Sequence, residues 1–279
     1  MKYSNKKLIY DDHCPLCRWY SAQFVRFGLL PAQNRIPFSK ASDEILAAID
    51  FNRATDEIPF VDPGTKDVTY GIDAMLEILS TKCPIIGKIG QQKQIHQFLK
   101  KLYKLVSLNR KVIVAVKCGD NEIDCSPSFS IRYRWLFILL GTLFVFAASK
   151  LFYFAIVRTY WLNLSYQQFL LASIIFGFVS YSPALFLPQK KSLEFLGQHT
   201  VLGIILTVSL LLISNVQLIL PLSNLFVYVF HIVIGYILIK QYARRMSYVN
   251  FIKQQRIVLY ANYSTLAGFL ALLFINSSK

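Results

Sequence analysis

Apolar positions in the first part of the chain come in short runs separated by polar turns. Lys7-Leu8-Ile9-Tyr10 reads as a short buried strand. From Cys14 to Phe27, Cys17, Trp19, Tyr20, Phe24 and Phe27 recur at three- and four-residue spacing, which predicts a helix. Pro15 suits its first turn and Gly28 stops it. Residues 34–38 read as a second strand. Residues 42–49, opened by Ser42 and two acids, read as a second helix. Ile58–Asp62 and Asp67–Tyr70 flank a Pro-Gly turn and predict a hairpin, after which Gly71–Leu79 restarts a helix. Over 91–108, Ile95, Phe98, Leu99, Leu102, Leu105 and Val106 alternate with lysines at helical spacing. This predicts a basic amphipathic helix.

The pattern changes after Trp135. Apolar segments at 135–157, 167–188, 199–219, 222–239 and 257–275 each approach the ~20 residues a membrane-spanning helix needs. The expected organisation is a front domain over 1–117, a linker over 118–134 and a membrane domain over 135–279. The front order β-α-β-α-β-β-α is that of the thioredoxin-like α/β sandwich. The fold class is therefore an α/β thioredoxin-like N-terminal domain followed by an all-α transmembrane bundle of about five spans.

Charge adds an orientation. The net charge is +15, yet residues 1–77 are slightly acidic and no acid occurs from Ile78 to Gly119. Nucleic acid is not the expected partner, because the later basic residues sit in short loops between apolar segments. Arg132, Arg134, Lys190, Lys191, Lys240, Arg244, Arg245, Lys253 and Arg256 fall on one side of the bilayer; Arg158 and Lys279 fall on the other. The positive-inside rule then gives a multi-pass protein of a bacterial-type cytoplasmic membrane, with a cytoplasmic N-terminal domain and the C-terminus outside. The N-terminal stretch has no signal-peptide core, which agrees. The amphipathic helix has two placements. Its apolar stripe rests against anionic lipid, or it packs on the front domain and leaves the lysines solvated.

The chemistry concentrates at Asp11-Asp12-His13-Cys14-Pro15-Leu16-Cys17. A thiolate at a helix N-terminus is stabilised by free N–H groups and the macrodipole. Cys14 is the expected exposed nucleophile, and Cys17, one turn deeper, the resolving thiol. His13 adds positive charge. Asp11 and Asp12 oppose thiolate formation, although a carboxylate near the deeper cysteine can accept its proton. Pro59, opening a strand, is the candidate cis-proline facing the dithiol. A zinc-binding or redox-sensing head is the alternative, with Cys118 and Cys125 as further ligands at a wide spacing. No metal or cofactor is expected otherwise. His199 and His231 lie at different depths and do not suit a haem pair. All five cysteines precede the apolar segments, so the bundle has no thiol with which to relay electrons across the membrane.

Asp11-x-x-Cys14-x-x-Cys17, after a strand ending in Tyr10, resembles the signature of the DCC family of thiol–disulfide oxidoreductases. Tyr70-Gly71-Ile72-Asp73-Ala74 is similar to that family's second recurrent patch. The resemblance covers roughly residues 6 to 115. Members usually carry Gly where Asp12 stands, and the Cys-Pro-x-Cys form also looks like that of glutaredoxin. The resemblance implies thiol–disulfide chemistry on a protein or small-molecule partner, performed beside a lipid bilayer.

Overall fold

The computed structural model describes residues 5–116, 126–154, 165–220 and 223–249. Cys118, Cys125 and the fifth apolar segment lie outside them. The chain divides into two compact units, Met1–Arg134 and Trp135–Lys279.

The front unit is built on a four-stranded mixed sheet of β1 (Lys7–Tyr10), β2 (Arg35–Pro37), β3 (Pro59–Val61) and β4 (Val68–Tyr70), in the order β2-β1-β3-β4. β1 pairs parallel with β2, and β3 pairs antiparallel with both β1 and β4. Successive side chains of a strand point to opposite faces, and here both faces are buried. Leu8 and Tyr10 join Phe24, Phe60 and Ile78 on one side. Ile9 joins Phe38, Ile45 and Val61 on the other. Helices α1 (Pro15–Arg26) and α4 (Gly71–Leu79) supply the first layer; α2 (Asp43–Ala48) and α3 (Phe51–Asp56) supply the second. Helix α3 has no counterpart in the sequence reading. It is six residues long, too short to show a period, and is started by Asp50, whose carboxylate accepts the Arg53 N–H at 3.2 Å.

Further helices follow among the described residues: α5 (Pro84–Gly90), α6 (Lys93–Ser107) and α7 (Arg110–Val114). The Tyr70–Ala74 patch is what seats α6. Gly71 has φ +59°, and its N–H donates to Ile58 O at 2.9 Å. Asp73 lies 2.5 Å from His96 Nε2 and 3.3 Å from Lys100 Nζ. Tyr103 Oη accepts the Ile58 N–H at 2.9 Å, and Ser107 donates to Asp56 O. Helix α6 therefore docks through its polar side. Lys100 and Lys104 face acids of the domain, Asp73 and Glu57, while Phe98, Leu102 and Val106 are 64%, 44% and 42% exposed. This departs in part from the expected packed placement: Ile95, Leu99 and Leu105 of the stripe are half-buried and Lys93 and Lys101 remain in water, but the other half of the stripe faces outward.

A Cβ at Gly71 would stand 3.1 Å from Tyr103 Cε1 in a left-handed backbone. Gly71→Ala is expected to cost about 1–3 kcal/mol. Hydrogen exchange of β3 and β4 amides in the full chain checks this; unchanged protection would refute it.

Among the described residues, three helices are long and apolar enough to cross a membrane by length and composition: Ile131–Phe152, which begins in the front unit, Tyr166–Phe186 and Gln189–Val216. We label the underlying α-helices α8 (Ile131–Phe152), α9 (Tyr166–Tyr181) and α10 (Gln189–Ile219). A further helix, α11 (Asn224–Tyr248), packs on α10 around Phe195, Tyr242 and Met246. Helix α10 starts ten residues before the expected 199, because its first turns, Gln189-Lys190-Lys191-Ser192, are polar and invisible to hydropathy. In the same way α11 runs through Arg244 and Arg245, which the sequence reading placed in a loop. His199 Nδ1 lies 3.2 Å from Phe195 O, and Arg245 donates to Gln198 at 2.7 Å. Close approach occurs at Gly141, where a Cβ would collide with Thr200. It does not occur at Gly235, which has open space.

Candidate active site

The turn between β1 and α1 is organised by Asp11. Its Oδ1 accepts the N–H of His13 at 3.0 Å and of Cys14 at 3.1 Å, and its backbone oxygen receives Cys14 N–H at 3.3 Å. Asp and Asn side chains favour such turns because they mimic a backbone acceptor. The result places Cys14 at the N-cap of α1, in extended backbone, with Pro15 opening the helix. Cys14 O accepts the N–H of Arg18 at 3.0 Å. Cys17 is one turn on, on the buried side of α1.

Both cysteines are 4% exposed. The expectation of an exposed Cys14 is therefore corrected. The dithiol end of the domain is packed, and α1 and α7 contact one another there. That contact is non-local and leaves no local trace in the sequence. The carboxylate of Asp11 and the two sulfurs lie within 4.8 Å of one another.

His13 Nε2 stands 3.9 Å from Asp12 Oδ2. Asp12 in turn accepts from the Ser39 hydroxyl at 2.7 Å and the Ser39 N–H at 3.3 Å. Burial raises the Asp12 pKa, but these bonds outweigh it and hold the carboxyl below its usual range. The cation that reaches the dithiol is Arg110, from α7. Its Nη2 lies 3.4 Å from Asp11 Oδ2, and both side chains are buried. Burial opposes its charge, yet Cys17, Asp11 and Cys14 around it keep the guanidinium above its ordinary pKa.

These neighbours split the two thiols. Cys14 is lowered to about 6, first by the hydrogen bond from the Cys17 side chain, then by the Cys17 N–H and the Arg110 charge; burial and Asp11 oppose the shift. Cys17 moves up, because its S–H is engaged by the Cys14 sulfur and because it is buried. Tyr103 is pushed up to about 12 by burial. Tyr20 also stays protonated, its hydroxyl desolvated next to Cys17. A depressed outer thiol paired with a raised inner one is the arrangement of an attacking and a resolving cysteine.

Pro59 opens β3 opposite Tyr70. Its peptide bond is trans, since no cis bond occurs among the described residues. This corrects the cis expectation. Both backbone groups of Ile58 are committed, the N–H to Tyr103 and the C=O to Gly71, which holds the chain extended into the strand. Cys83 is a half-buried free thiol at the N-cap of α5.

Residues 8–115 match the family model described as DCC1-like thiol-disulfide oxidoreductase. Over these residues the chain is similar to that family. No curated protein and no solved structure matches the chain significantly. The DCC1-like match ends just beyond α7, so it contains Arg110 as well as the dithiol. The sequence reading passed over Arg110. The available signal was a basic residue inside the matched span, followed by a short apolar run that neither crosses a membrane nor extends the amphipathic helix.

Proposed function

We propose that the protein is a membrane-anchored, cytoplasm-facing thiol–disulfide oxidoreductase that works through Cys14 and Cys17. The observation that carries this is the dithiol at the N-terminus of α1, with the buried Arg110 cation beside it. The sheet order, with β1 parallel to β2 and β3 antiparallel to its neighbours, supports a thioredoxin-like fold. The three apolar helices support anchoring. The positive-inside tally supports five spans, a cytoplasmic front domain and the C-terminus outside.

In the reaction, the Cys14 thiolate attacks one sulfur of a substrate disulfide. The S–S bond breaks, a mixed disulfide forms, and the first substrate thiolate leaves and takes up a proton. Cys17 gives its proton to a nearby acceptor, for which the Asp11 carboxylate is within reach. Cys17 then attacks the Cys14 sulfur and expels the second substrate thiolate. Two electrons pass to the substrate, and the enzyme is left as the disulfide. Arg110 and the Cys17 S–H stabilise the reduced state, which makes the enzyme disulfide the better oxidant.

Ultraviolet absorbance of the thiolate, followed against pH in the full chain, tests this reading. Cys14 is protonated below its pKa and ionised above it. One proton should leave with a midpoint at about 6, against the ~8.5 of a free cysteine, and Cys17 should stay protonated through neutrality. A Cys14 midpoint at the free-thiol value would overturn the proposal.

A zinc-holding head is favoured by one observation, the clustering of Asp11, Cys14 and Cys17. The guanidinium against Asp11 weighs against it, because a dication there would face a buried positive charge. Stoichiometric zinc in chain purified without chelator, lost on Cys14→Ser, would reverse that judgement.

A further inference from the structure

The way α6 docks leaves a surface unexplained. His96, Lys100, Tyr103, Lys104 and Ser107 meet the domain through Asp73, Glu57, Ile58 and Asp56. An amphipathic helix on a water-soluble body normally does the opposite and buries its apolar stripe. Here Phe98, Leu102 and Val106, spaced one turn apart, stand outward. Helix α5, packed against α6, adds exposed Ile85, Ile86 and Ile89. An apolar surface of this kind in a soluble body marks an interaction site.

We infer that this surface of α6 and α5 is a membrane-docking face that lies on anionic lipid, with Phe98, Leu102 and Val106 entering the headgroup–acyl boundary. The inference rests on the reading of α8 to α10 as membrane-spanning.

Three observations select lipid as the occupant. The first is charge. Lys88, Lys93 and Lys101 on these two helices are exposed and have no acidic partner among the described residues. No acid occurs anywhere from Ile78 to Gly119. A basic segment lacking acids suits an anionic headgroup layer, where each lysine contributes a roughly fivefold preference. The second is pattern, an apolar stripe with Lys101 about 60° from Phe98 at 100° per residue. The third is attachment. Asn109, just after α6, donates to Tyr133 O at 3.1 Å. Ser128 is held by Asp56 through its N–H at 2.6 Å and its hydroxyl at 2.7 Å. Both contacts lie within the front unit, which thus holds the first turn of α8 and its approach against the segments that flank α6.

The test places the photo-crosslinking residue p-benzoylphenylalanine at position 98 of the full chain, with exposed Asn52 on α3 as the control position. The protein is held in nanodiscs of phosphatidylcholine with or without phosphatidylglycerol, and adducts are read by mass spectrometry. Lipid adducts are expected at 98 and not at 52, and more with the anionic lipid. The K93Q/K101Q pair should weaken docking on the order of 20-fold, from fivefold per lysine. Adducts from 98 to peptides of residues 135–279, or equal adducts in both lipids, would overturn the inference. Carbonate washing separates the two failures. A chain extracted from membranes refutes anchoring itself, whereas a chain that remains but gives no lipid adduct refutes only this docking face.

Discussion

Arg110→Met is expected to destabilise the front domain by about 3–5 kcal/mol, because it strands the Asp11 carboxylate in a buried site. Asp11 and Arg110 side chains are 5% and 6% exposed and 3.4 Å apart. Neither can turn to water when the other is removed. Two losses should appear together. Hydrogen exchange of β1 and α1 amides in the full chain should accelerate, since Asp11 also ties the turn between them. The Cys14 midpoint should rise from about 6 toward the ordinary value, because the Arg110 charge is among the causes of its lowering. The Asp11→Asn, Arg110→Met double variant separates the two roles. Removing both charges relieves the stranded carboxylate, so most of the stability should return. It also removes Asp11's opposition to the thiolate, so the midpoint should rise less than in the single variant. If Arg110→Met alone leaves both stability and midpoint unchanged, the ion pair has no part in the site.

The second large effect is a contrast at position 17. Cys17→Ser is expected to stop turnover and to accumulate a mixed disulfide on Cys14, because the attacking thiol remains and the resolving thiol is gone. Cys14→Ser should trap nothing. The hydrogen bond from the Cys17 side chain is the largest single cause of the lowered Cys14 value. A serine hydroxyl can still donate that bond and an alanine cannot. The midpoint should therefore stay low in Cys17→Ser and rise by a unit or more in Cys17→Ala, roughly the effect of removing one hydrogen bond to a charged group. Equal midpoints in the two variants would assign the lowering elsewhere. Trapped species on Cys14 also identify the physiological partner by mass spectrometry.

Much of this was readable in the residues. The strand-turn-helix placement of Asp11, Cys14 and Cys17 is a local pattern, set by a Pro at the first helical position and an Asx-type turn. Local patterns survive in a linear reading. Arg110 did not emerge, because it meets Asp11 across 99 positions, and nothing near either residue encodes the meeting. His13 drew the positive role by adjacency alone; its ring stands 3.9 Å from Asp12. For α6 the period was legible and the direction stayed open between two placements. A hydrophobic stripe says that a helix has two sides but not which of them the domain takes. Asp73 on α4, with Glu57 and the Ile58 amide in the connection between α3 and β3, decide that, and all lie far from α6 in the chain. The beginning of α10 was lost for a simpler reason: polar first turns carry no hydropathy signal.

The route from the Gly71–Asp73 patch to Arg110 bears on where the working module ends. The sheet, both cysteines and the Asp11 turn are all present by Leu79. A fragment ending there would hold every strand and the complete Asp-x-x-Cys-x-x-Cys signature. It would still lack the guanidinium that neutralises Asp11, together with the helix whose seating by Asp73 and Tyr103 brings α7 to the dithiol. The smallest unit that completes the sheet is thus shorter than the smallest unit that completes the chemistry. Divergence, splicing or engineering that respects only the sheet would preserve the look of an oxidoreductase while leaving an ordinary pair of thiols.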